Sequence, residues 1–140
     1  MREILFKGQR VDNGQWVYGM PLYGNLDTTI TEMQCYINNR HYIIEIKPES
    51  IGQFTGMLDK NGNKIFEGDK CKVTFYNHIE KNSELIMNVV FTDGGFALIK
   101  EGKITTESVI EDDRTFVPLY YSQRPNEIEI IGNIHENGDK

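Results

Sequence analysis

The chain reads as an all-β protein. Three observations carry that expectation: apolar residues fall in short runs with a period near two, the runs are rich in Ile, Val, Tyr, Phe and Thr, and turn residues separate them at short intervals. No long amphipathic helical pattern interrupts them. Many short antiparallel strands in 140 residues predict bent sheets or an SH3-like barrel, because closure is how small β proteins remove exposed edges.

The elements follow in order. Arg2 to Gly8 is the first expected strand, with Ile4 and Phe6 on one face, and Asp12-Asn13-Gly14 turns it into a second from Trp16 to Leu22. Thr28 to Ile37 and Tyr42 to Ile46 form another hairpin around Asn38-Asn39, residues that accept left-handed backbone at low cost. Pro48-Glu49-Ser50 breaks the ladder, since proline lacks the N–H it would donate. Asn61-Gly62 fits the two central positions of a type I′ turn and predicts a hairpin of Gln53 to Leu58 with Lys64 to Phe66.

Gly68-Asp69 then leads into Lys70 to Tyr76, where Cys71, Val73 and Phe75 share a core face and Lys70, Lys72 and Thr74 a wet one. Asn77 to Ser83 is a polar loop, Leu85 to Phe91 a strand, Asp93-Gly94-Gly95 a turn into Phe96 to Ile99, and Glu101-Gly102 a turn into Ile104 to Ile110. Glu111-Asp112-Asp113 is an acidic loop, Thr115 to Tyr121 is extended or a short helix, and Glu127 to His135 is the last strand, with Ile128, Ile130 and Ile134 on one face. The expected organisation is a single domain over residues 1–140, with a seam near 47–50 between an N-terminal β region and a C-terminal barrel.

Composition narrows the function. A chain of this length buries enough surface for a core without staples. A formal charge of −6 disfavours broad attraction to phosphate backbones, so nucleic acid is not the expected partner. Cys35 and Cys71 fit neither a secreted disulfide scaffold nor a paired metal clip and read as free thiols of a reducing compartment. The start of the chain lacks the apolar run of a signal peptide, and no stretch approaches the ~18 apolar residues of a membrane span. The bacterial host cytoplasm is the expected location, and no membrane association is expected.

Residues that carry chemistry are sparse. There is no GxxxxGK[ST], HExxH, GxSxG or GxGxxG motif, and His41, His78 and His135 stand far apart without cysteines at ligand spacing. No catalytic residue, metal site or cofactor is therefore expected. Asp93, Glu101, Glu111, Asp112 and Asp113 read as solvated loop acids rather than a carboxylate or divalent-ion site, and Asp59 and Asp69 as turn residues that orient backbone. Lys60, Lys64, Lys70 and Lys72 make the only local basic patch, open to a phosphate-bearing ligand or to the blander role of protecting a strand edge.

The better binding candidates are aromatic. Trp16, Tyr18, Tyr23, Tyr36, Tyr42, Phe54, Tyr76, Phe96, Tyr120 and Tyr121 exceed what one small core absorbs, and tyrosine offers contact area with a polar tip. Tyr120 and Tyr121 point to opposite faces if extended, so at least one leaves the core.

The run from Ile51 to Val73, the opening Met1-Arg2-Glu3-Ile4, the Trp16-Val17-Tyr18-Gly19 segment, the Gly94-Gly95-Phe96 turn and the closing Ile130 to Asn137 together resemble the YopX family of phage and prophage proteins. Residues 23–46 and 77–83 carry little of that likeness, and Cys71 stands where the family leads one to expect an aliphatic residue. The resemblance implies a small β-rich phage or prophage protein that assembles with copies of itself. It brings no catalytic residue and no established activity.

The expected function is thus a non-enzymatic, oligomeric accessory protein that binds a host protein. One alternative is sequestration of a small phosphorylated, nucleotide-like ligand by Lys70, Lys72 and Arg114 for charge with Tyr120 and Tyr121 for stacking. The others are a nucleic-acid-binding barrel and a hydrolase using Asp93, Asp112 and Asp113.

Overall fold

The computed structural model of the chain describes residues 3–23, 30–75, 83–92, 94–100, 116–118 and 127–136. Its strands are β1 (Phe6–Gln9), β2 (Trp16–Tyr23), β3 (Ile30–Ile37), β4 (Arg40–Glu45), β5 (Gly52–Leu58), β6 (Lys64–Phe66), β7 (Asp69–Phe75), β8 (Ser83–Thr92), β9 (Gly95–Lys100), β10 (Phe116–Pro118) and β11 (Glu127–Asn133). A single 3-10 turn, Pro48–Ser50, is the helical element among the described residues. The strand expected at 104–110 lies outside them.

The strands form two antiparallel sheets, in the orders β4-β3-β2-β1-β5-β6 and β10-β9-β8-β7-β11. Of the two expected arrangements, open sheets are observed and barrel closure is not, since each order ends on two separate edge strands. In the C-terminal sheet, where the barrel was expected, β10 pairs with β9 alone and β11 with β7 alone among the described residues, so the ladder does not return on itself.

The chain forms two compact units, Met1–Gly56 and Met57–Lys140. Residues 47–50, where a seam was expected, lie inside the first unit as its 3-10 turn. There the Ser50 hydroxyl donates to the Lys47 carbonyl (2.7 Å) and accepts the Gln9 N–H (2.8 Å).

In the first unit β1 and β2 form the expected hairpin, from Phe6 opposite Gly19 to Gln9 opposite Trp16. The strand begins later than the sequence indicates, and Ile4 precedes it, exposed. Val17, Met33, Cys35, Ile44 and Ile46 make the core, with Phe6, Ile30 and Ile51 against it. Two glycines make room for that packing. A Cβ on Gly8 would lie 2.8 Å from the Met33 sulfur, and one on Gly19 would collide with the Gln34 carbonyl oxygen, so the β3 backbone comes up against β2 at a point where no side chain fits.

In the second unit β7 lies between β8 and β11. Its alternation is as expected: Cys71 and Val73 are fully buried in a cluster with Ile65, Met87, Val89, Leu98 and Ile128, while Lys70, Lys72 and Thr74 face away. The Asn61-Gly62 hairpin forms, but not with a type I′ turn. Gly62 has a positive φ of 86° and Asn61 does not; the loop is the three-residue kind, in which a type I turn is followed by one left-handed residue. Asp59 selects it. Its backbone pairs with Asn63 while its Oδ1 accepts the N–H groups of Asn61 and Asn63, both at 2.9 Å, which the tighter turn would place out of reach.

The Asp59 Oδ2 also accepts the Ile130 N–H from β11 at 3.1 Å. Asp69 makes the second such junction: 1% exposed, it accepts the Phe66 N–H at 2.8 Å and the Asn133 side-chain amide at 3.1 Å. Both aspartates orient backbone, as their turn positions predict. Ile134, however, does not share a face with Ile128 and Ile130. A bulge inserts Ile131, so Ile130 stands opposite Cys71 but Asn133 opposite Asp69. The inward phase passes to Asn133, and Ile134 is turned outward.

Burial pushes the Asp59 carboxyl up, but its N–H donors from Ile130, Asn63 and Asn61 outweigh that and hold it below its ordinary value of 3.8. Its folded value is depressed, so its contribution to stability is present above the ordinary carboxylate range and is lost as pH falls through the folded value. Replacing Asp59 with Ala strands several backbone donors and is expected to cost about 2–3 kcal/mol in urea denaturation at neutral pH. The deficit should shrink in acid, where the wild type loses the same advantage. Gly19→Ala is expected to cost about 2 kcal/mol or more in the same measurement, because the obstacle is backbone rather than a movable side chain.

Candidate functional site

The most exposed apolar surface of the first unit is built by the β3–β4 hairpin. Asn38 and Asn39 both adopt left-handed backbone, with φ of 53° and 67°, which makes the two-residue turn whose twist matches its strands. That turn fixes Ile37 opposite Arg40, and hence Cys35 opposite Tyr42, Gln34 opposite Ile43 and Met33 opposite Ile44. Strand side chains alternate, so the register sorts residues into two faces. Met33, Cys35 and Ile44 are buried on the inner one. Tyr36, His41 and Ile43 stand on the outer one.

β2 extends this outer face. Met20 lies opposite Gln34, and Tyr18, two residues earlier, projects to the same side. The result is a face across three strands, with Tyr18 and Met20 on β2, Ile43 on β4 and Gln34 between them on β3, and with the Tyr36 ring packed on His41 at 5.3 Å. Tyr36 is 69% exposed, Ile43 56%, Tyr18 50% and Met20 46%. At the β1 end the Lys7 ammonium sits over the Trp16 ring, 4.6 Å from its centroid, a contact in which the ring's negative face receives the charge.

β4 is also an edge of its sheet. Beside it, between the Arg10–Asp12 turn and the strand, lies a cleft of about 470 Å³ with Val11, Ile37 and Ile43 on its apolar wall. Arg10 holds Asp12 through two hydrogen bonds of 2.9 and 2.8 Å, and the Arg10 guanidinium keeps the Asp12 carboxyl below its ordinary range. This pair shapes the turn.

The lysine patch divides. Lys72 lies 3.5 Å from Glu129, and Lys60 lies 3.6 Å from Glu129 and 4.0 Å from Glu127. These two cations sit beside acids of β11 while remaining partly exposed. Edge protection does not describe Lys70 and Lys72, since β7 is paired on both sides, whereas Lys64 stands on β6, an edge strand of its sheet. Arg114, Tyr120 and Tyr121, the remaining proposed ligand contacts, lie outside the described residues, as do Tyr76, His78 and the acids Asp93, Glu101, Glu111, Asp112 and Asp113.

Of the other aromatic candidates, Tyr23 and Tyr42 are exposed, Phe54 is buried, and Phe96 packs on the second core and edge-on against Phe91. Ile43 and Met20 were missed by the sequence reading. The signal for Ile43 was its place one step out of phase with Ile44 after a two-residue turn. Cys35 and Cys71 are buried and not joined in a disulfide; burial pushes the Cys35 thiol up, which leaves it a core residue rather than a nucleophile. Among the described residues, no three His, Cys, Asp or Glu side chains gather as a metal site, and no helix is long and apolar enough to cross a membrane.

A family model described as YopX protein matches residues 6–139. The crystal structure of protein EF1440 from Enterococcus faecalis is similar in fold, with a TM-score of 0.51 at 23% identity, covering 98% of this chain and 96% of that one. No curated protein matches.

A thiol reagent is expected to label Cys35 and Cys71 at the rate of global opening under native conditions and rapidly in denaturant. Fast labelling of the native protein would contradict their burial.

Proposed function

The chain belongs to the YopX family, and on that premise we propose that it is a non-enzymatic accessory protein of phage or prophage origin. It works in the host cytoplasm by binding protein, both copies of itself and a host component. The observation that carries this reading is the outer face of β2, β3 and β4 in the first unit. Tyr18, Met20, Tyr36 and Ile43 are exposed there on one face of the sheet. Tyrosine and methionine are enriched at protein interfaces, and an exposed face that joins them to Ile43 across a central Gln34, with Glu32 and Glu45 at one end, has the anatomy of one.

Small-molecule sequestration has less behind it. Lys72 is engaged by Glu129, and a phosphate would have to compete with that carboxylate. Nucleic acid is disfavoured by the same logic, because the open face carries acids at its rim and the chain a charge of −6.

Native mass spectrometry of gently purified protein tests the proposal. A discrete oligomer without added mass at roughly 20 µM is expected, a concentration at which a ~1 µM complex is mostly assembled. A bare monomer would remove the self-assembling half of the reading, and a bound small molecule of defined mass would redirect it to sequestration. Lys72→Ala is expected to change stability by no more than about 1 kcal/mol, as for other half-exposed ion pairs, and to leave the oligomer intact.

A further inference from the structure

We infer that the free edge of β4 is the seam at which two copies of this chain join, by antiparallel strand addition with Tyr42 on the twofold axis. The inference rests on the self-assembly proposed above and specifies where it occurs.

The argument begins with backbone direction. In a two-residue hairpin the closing pair is hydrogen-bonded, so with Ile37 opposite Arg40, residues 40, 42 and 44 turn their N–H and C=O groups toward β3. Residues 41, 43 and 45 turn theirs outward. Two hydrogen bonds agree with this parity: the Ile46 N–H donates inward to the Thr31 carbonyl at 2.9 Å, and the Glu45 carbonyl accepts the Val11 N–H from the outer side at 3.2 Å. The chain's own segment 9–11 therefore covers the edge from Glu45 onward, through Val11 and the Arg10–Ile46 bridge. Among the described residues, nothing pairs with the outward backbone groups of His41 and Ile43.

The charges of this short edge stand at its ends. Arg40–Glu45 contains no proline, lysine or bulge, and its centre, Tyr42-Ile43-Ile44, is uncharged and strongly strand-forming. It is also self-complementary. An antiparallel ladder that uses both open residues must set His41 opposite Ile43 of the second copy, which places Tyr42 opposite Tyr42 on the axis. The ladder then runs out where it must: Glu45, already covered by Val11, falls opposite Asn39 of the second copy, where that copy's strand turns away.

Charge selects the same arrangement. The strand starts with Arg40-His41 and ends with Glu45, so antiparallel addition brings the basic end of each copy alongside the acidic end of the other, with Glu45 diagonal to His41 of its neighbour. Parallel addition would set like on like. Ile43 and Tyr42, now exposed, would be covered in the same step, and the outer faces of both copies would form one continuous sheet surface.

Cross-linking with substitution tests this. Tyr42 pairs are non-hydrogen-bonded, with Cα atoms expected about 4.5 Å apart, within disulfide reach. In a Cys35→Ser background, which removes the thiol opposite residue 42 on β3, Tyr42→Cys should therefore oxidise to a covalent dimer, whereas Glu45→Cys should not. Ile43→Pro deletes an outward N–H without touching the β3 ladder, and Ile43→Lys retains the backbone but adds a charge at the seam. Each should weaken dimerisation at least about tenfold while the melting temperature of dilute monomer stays near that of wild type. If wild type is oligomeric but Tyr42→Cys fails to cross-link and Ile43→Lys assembles normally, the seam lies elsewhere and only this inference falls. A wild type that stays monomeric would overturn the self-assembly reading itself. A monomer whose His41 and Ile43 amides gain exchange protection on adding an extended peptide of another protein would overturn the second copy as occupant.

Discussion

A two-residue turn governs the first unit. Asn38 and Asn39 hold left-handed backbone together, and this fixes the β3–β4 register to the residue. Because strand side chains alternate and β3 is also held by β2, a slip of one in β4 would turn His41 and Ile43 inward and expel Ile44 from beside Met33. The same turn decides which backbone groups of β4 feed the sheet and which face outward. Core, open face and the orientation of the backbone groups of β4 are three consequences of one local geometry.

The second unit rests on a different device, two buried carboxylates spent on backbone. Asp59 ties the β5–β6 loop to β11, and Asp69 ties the end of β6 to Asn133. Each replaces hydrogen bonds that an irregular stretch would otherwise leave unmade in a buried place, where an unsatisfied donor is costly. Their location inside turns, touching N–H groups and an amide, is also why neither is available as a catalytic acid. The bulge at Ile131 belongs to the same construction, since it is what swings Asn133 inward to meet Asp69.

Charge on the second sheet illustrates how pairing rewrites a sequence-level patch. Lys60 and Lys72 are near one another along the chain, and their neutralising partners, Glu127 and Glu129, are far away along it. These pairs are half-exposed and each contributes only a few tenths of a kcal/mol. They also set carboxylates beside Lys60 and Lys72, which weakens the positive field at those two side chains.

The sequence by itself determined the strands, the hairpins and the family. Period-two alternation, Asn38-Asn39, the Pro48 break and the long run from Ile51 to Val73 are local signals, and local sterics and hydrogen bonding suffice to read them. It also marked Asp59 and Asp69 correctly as turn residues, though not the form of the Asn61-Gly62 turn, because a side-chain acceptor two residues upstream outcompeted the dipeptide's own preference. Tertiary structure alone decided that the sheets stay open, that the inward phase of β11 shifts at Ile131, that β11 neutralises the lysines and that β4 is an edge. Each of these depends on which strand lies beside which. Strand pairing is set by contacts between residues distant along the chain, and composition and spacing carry no record of it.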